Sequence, residues 1–87
     1  MVPGALAELL SATPLSPGKV EFTWKLAVGP ALQRATSVRL EGTRLLVDAA
    51  GAHWAREVTR GAPLILPRLQ SLLGKETVSS IEVRSRP

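Results

Sequence analysis

At 87 residues, with 45% apolar and 21% charged side chains, the chain has the composition of one folded domain near the lower size at which a single core suffices, not of a disordered tail. It has no cysteine, which excludes a disulfide framework and a thiolate metal site, and with only two Trp and one Phe the core has to be built from Leu, Val, Ile and Ala. A formal charge of +4 and a pI near 10.8 bias the surface toward a polyanionic partner without specifying a fold.

No Lys or Arg precedes Lys19, and Glu8, Pro14 and Pro17 interrupt the early apolar residues, so the start does not read as a secretory signal. No stretch approaches the ~20 apolar residues of a membrane span, and the expected location is the cytoplasm. Residues 4–11 hold Leu6, Leu9 and Leu10 at helical spacing, two turns that need docking to be stable. With two prolines and a glycine, residues 13–18 form a loop, which divides the chain into a leading segment, 1–18, and a folded domain, 19–87.

The first long helix is expected over 19–34, where Val20, Trp24, Ala27, Val28, Ala31 and Leu32 make one apolar stripe. Pro30 removes an amide donor inside it, and the stripe running across Gly29-Pro30 argues for a kink. A β-hairpin follows. With Glu41-Gly42 as a two-residue turn, Leu40 faces Thr43, Val38 faces Leu45 and Thr36 faces Val47 on one side, while Ser37/Leu46 and Arg39/Arg44 lie on the other. A three-residue loop would mix the two faces; a four-residue loop keeps the same parity and is the alternative. Arg39 opposite Arg44 costs about 0.2–1 kcal/mol, a cost that a bound anion would remove and that solvation or pairing with Glu41 and Asp48 would also relieve.

Trp54, Val58, Ala62, Ile65, Leu69 and Leu72 recur at steps of three and four, interrupted by Gly61 and Pro63. The spacing predicts two helical segments, 52–60 and 63–73, the second capped by Gly74. A last strand over 77–85 turns Ile81 and Val83 one way and Ser80, Glu82 and Arg84 the other, and runs parallel to the second strand after the helical crossover. Its neighbour in the sheet is left open. The fold class is α+β, in the order α-β-β-α-α-β, with a three-stranded sheet covered by helices on one face.

Catalysis has little to stand on. His53 has no carboxylate placed to orient it and no second His or Cys with which to hold a metal, and no glycine-rich phosphate loop is present. Trp24 and Trp54 each sit on an apolar stripe and read as core anchors under the same sheet face, not as base-stacking platforms. The cations are the candidates for function. Arg39, Arg44 and Arg84 share the outward sheet face with Lys75 at its edge, and Arg60 lies beside a helix N-terminus whose free amides favour phosphate.

Five segments taken in order carry a resemblance: Trp24-Lys25-Leu26-Ala27-Val28-Gly29, Leu45-Leu46-Val47-Asp48, His53-Trp54-Ala55-Arg56-Glu57-Val58, Leu64-Ile65-Leu66-Pro67-Arg68-Leu69-Gln70 and Val78-Ser79-Ser80-Ile81-Glu82-Val83-Arg84. Over about residues 22–84 the sequence resembles the DciA family. The resemblance implies a KH-like domain, whose type II order is the one reached above from the residues. It also implies a non-enzymatic bacterial role, recruiting or loading the replicative helicase at replication origins, with DNA binding. Where KH domains clamp single strands with Gly-x-x-Gly, this chain reads Arg60-Gly61-Ala62-Pro63, without the second glycine. The expected partners are therefore single- or double-stranded DNA, held through its phosphates by Arg39, Arg44, Arg60, Lys75 and Arg84, and the replicative helicase. No cofactor, metal, small-molecule substrate or membrane is expected. The alternatives are a protein-interaction module without nucleic acid and an RNA-binding KH-like domain.

Overall fold

The structure, a computed structural model, describes residues 15–86; the short helix expected over 4–11 lies outside them. The elements are α1 (Pro17–Val28), α2 (Pro30–Arg34), β1 (Thr36–Glu41), β2 (Arg44–Ala49), α3 (Ala52–Leu73) and β3 (Ser80–Ser85). They form an α+β domain in which the helices pack on a three-stranded sheet, as the sequence predicts.

Ser16 caps α1, its hydroxyl accepting from the Lys19 amide, and Pro17 occupies the first turn, where a missing donor costs nothing. The helix therefore starts inside the segment expected to be a loop. At Gly29 the chain breaks instead of kinking, with φ 85° and ψ 173°, a region that is essentially glycine-only, and Pro30 then opens the five-residue α2. Gly29→Ala should cost about 1–3 kcal/mol, read as a lower midpoint in urea unfolding, even though the added methyl would meet no atom within 4 Å. An unchanged midpoint would mean that the break does not need this backbone conformation.

The hairpin keeps the expected faces but slides by one pair. Gly42-Thr43 is the turn, Gly42 has φ 63°, and Glu41 pairs with Arg44, Leu40 with Leu45 and Val38 with Val47. A positive φ at the first turn position alone is the pattern of a type II′ turn, so the glycine stands first in the turn, not second. β3 runs parallel to β2 and beside it, giving the order β1-β2-β3 with β2 central.

The inward rows of the sheet are Leu40–Leu45–Ile81 and Val38–Val47–Val83. Against them pack Val20, Trp24 and Ala27 from α1 and Val58, Ile65, Leu69 and Leu73 from α3. Trp24 is 2% exposed, and its indole N–H donates to Thr36 Oγ1 at 2.8 Å; that hydroxyl in turn donates to the Leu32 carbonyl at 2.6 Å. The relay ties α1, α2 and β1 together. Trp54 departs from expectation. It sits in the first turn of α3, half-buried and outside the core cluster, with its ring edge-on to His53 at 5.1 Å.

α3 is a single 22-residue helix, not two segments, with Pro63 and Pro67 inside it. Both prolines are exposed and stand four residues apart, so they share the solvent side, where water replaces the lost amide donors. The apolar stripe on the opposite side runs through without interruption.

Candidate functional site

On the outward sheet face the rows read Glu41–Arg44–Ser80, Arg39–Leu46–Glu82 and Ser37–Asp48–Arg84. Arg39 therefore faces Leu46, and Arg44 faces Glu41. The two arginines are not opposite each other, because the turn begins one residue later than expected, and the repulsion that an anion would have relieved does not arise. Glu82 collects two cations instead. Its carboxylate accepts from Arg44 at 3.2 Å and from Arg84 at 2.9 Å, while Arg39 reaches Glu41 at 3.6 Å. Arg86 joins this face through the Ser37 hydroxyl at 3.3 Å. Leu46, at its centre, is 2% exposed although it points away from the main core.

The five cations singled out in the sequence do not converge on one site. Arg39, Arg44 and Arg84 share the sheet face. Arg60 is on α3, 78% exposed and 3.6 Å from Glu57 one turn before it. It lies mid-helix, not beside a helix N-terminus, because α3 does not restart at Pro63. Lys75 is exposed in the turn that follows α3.

Counting by face changes the electrostatic picture. Arg39, Arg44, Arg84 and Arg86 on the sheet meet Glu41, Asp48 and Glu82, which nearly balances that side. Among the described residues, the helical side and its turns carry Lys19, Lys25, Arg34, Arg56, Arg60, Arg68 and Lys75 against Glu21, Glu57 and Glu76. The charge surplus lies there. Arg68 is fixed by donating to the Ala27 carbonyl at the end of α1 at 3.1 Å, whereas the four ion pairs among the described residues are all at the surface. Sequence reading missed Glu82 as the shared partner, because only the strand order brings β3 beside β2.

Among the described residues no group of three His, Cys, Asp or Glu side chains could hold a metal ion, and every buried side-chain polar atom has a hydrogen-bond partner. No helix of these residues is long and apolar enough to cross a membrane.

The geometry is that of a small basic α+β domain whose arginines lie at the surface of the sheet and of α3. Over residues 4–83 the chain matches the sequence model of the family described as Dna[CI] antecedent, DciA, and it belongs to that family. The family is one of helicase loaders in bacterial replication and not of catalytic enzymes. No curated protein matches the chain.

Proposed function

We propose that this domain recruits the replicative helicase and touches nucleic-acid phosphates through its exposed cations, with Arg39, Arg44 and Arg84 on the sheet, Arg60 on α3 and Lys75 after it. Family membership supports the helicase part. The phosphate part rests on one observation: each arginine of this set is at least half exposed, and its partner is a surface carboxylate. Exposed pairs of this kind contribute about 0–1 kcal/mol, so a polyanion can take the place of the carboxylate at little cost.

Fluorescence anisotropy with single- and double-stranded oligonucleotides over a salt series tests this reading. Replacing Arg44 and Arg84 together by Ala should weaken binding equally for all sequences and lower the salt slope by about 1.5–2. Glu82→Gln, which releases both guanidinium groups, should tighten it. An affinity that neither variant changes removes the sheet face from the site. RNA in the same titration decides the strand chemistry, and a pull-down against the host's replicative helicase tests the partner. The near-balance of charge on the sheet favours a second reading, a protein-binding module, whose signature is no oligonucleotide binding at low salt.

A further inference from the structure

We propose that the groove between α1–α2 and α3 is a docking site for an acidic amphipathic helix of a protein partner. The groove encloses about 340 Å³. Its floor is apolar, with half-buried Val28 and Leu32 on one wall and Leu64 on the other. Leu64 is 68% exposed, more than any other large apolar side chain among the described residues. Gly61 keeps the wall low there: a Cβ on it would come 3.1 Å from Ile65 Cδ1.

The rim is positive. Arg60 and Arg68 stand one turn before and one turn after Leu64, on the same side of α3, and both line the groove. Arg68 is held ready by its bond to the Ala27 carbonyl, and the guanidinium has further donors for a ligand. Glu57 is the acidic residue at the rim, and it already meets Arg60. The order cation, leucine, cation therefore spans about 12 Å along the helix axis. A facing helix with carboxylates one turn either side of an apolar anchor matches it in both charge and spacing.

Nucleic acid fits this groove less well. It has no aromatic side chain in its lining for a base to stack on, and a phosphate on the arginines would leave Leu64, Val28 and Leu32 uncovered. Arg60 could serve either ligand, so Leu64 is the residue that separates them. The proposal stands apart from the phosphate reading of the sheet face, and either can fail alone.

The test uses a fluorescein-labelled synthetic peptide of about four helical turns, with leucines along one face and glutamates one turn either side, and an isomer with Lys for every Glu. Binding is followed by anisotropy and by amide shifts of the ¹⁵N-labelled chain. The acidic peptide should bind at micromolar concentration and shift Val28, Leu32, Gly61 and Leu64, and the basic isomer should not bind. Leu64→Glu, at an exposed position that leaves the fold intact, should weaken the complex about tenfold or more. Absence of saturable binding, equal binding of both isomers, or indifference to Leu64→Glu overturns the proposal. Shifts of these same amides by a single-stranded oligonucleotide and not by the peptide would also overturn it, and would assign the groove to nucleic acid.

Discussion

Trp24→Ala should unfold the domain or lower its thermal midpoint by well over ten degrees. The indole is the largest side chain in the core, and truncating a buried Trp costs about 3–5 kcal/mol, each kcal/mol being worth about 4–8 °C in a domain of this size. A domain this small has little stability in reserve. The substitution also takes the donor from Thr36 Oγ1, which would keep only its own bond to the Leu32 carbonyl. Trp24→Phe fills most of the space and loses the N–H, so it should fall between the two, with about 0.5–1.5 kcal/mol due to the hydrogen bond. Trp54→Ala, outside the core cluster, should cost much less than Trp24→Ala. Circular dichroism melts of the three variants check this order. Equal losses for the two tryptophan truncations would mean that the core is shared between them, as the spacing of the sequence suggests, and is not centred on Trp24.

Pro67→Ala should stabilise the protein by about 2 kcal/mol. In a helix interior proline is about 3 kcal/mol less favourable than alanine, because it lacks the amide hydrogen and crowds the carbonyl four residues back. Roughly 1 kcal/mol of that gain is returned, since proline also restricts the unfolded chain. The new amide would reach the Pro63 carbonyl, and Pro63→Ala would do the same for Thr59. Because the two positions stand one turn apart and Pro63 carries the carbonyl that residue 67 would reach, their gains should not add fully. Urea unfolding of the single and double variants measures this. No gain at Pro63 together with a gain at Pro67 would mean that a new helix begins at residue 63, where a first-turn proline is at home.

That contrast shows what was legible in the sequence and what was not. Alternation along 36–41 and 44–49 separated inward from outward side chains correctly, because a strand turns over every second residue. The same parity is blind to a slide of two residues, and only the place of Gly42 within the turn decides it. The whole electrostatic pattern hung on that slide, since it moved Arg39 away from Arg44 and set Arg44 against Glu41. Glu82 could not be assigned its two arginines until β3 had a neighbour. On the helices the apolar stripes were readable, and the effect of each proline was not. Gly29 has the backbone angles for a true break before Pro30, whereas Pro63 and Pro67 face solvent and leave the helix whole. Arg60, Leu64 and Arg68 stand four residues apart, but that they line one groove is seen only with α1 and α2 in place.

The order β1-β2-β3 leaves two outer strands, each only six residues long and each bearing an arginine, Arg39 in one and Arg84 in the other. Open strand edges invite copies of the same chain to add on, and short length with embedded charge is how folded domains discourage it. Because each of these guanidinium groups has a carboxylate on its own strand, an approaching backbone would have to strip two solvated charges at once. The arginines proposed as phosphate contacts would thus also work against strand addition at both edges.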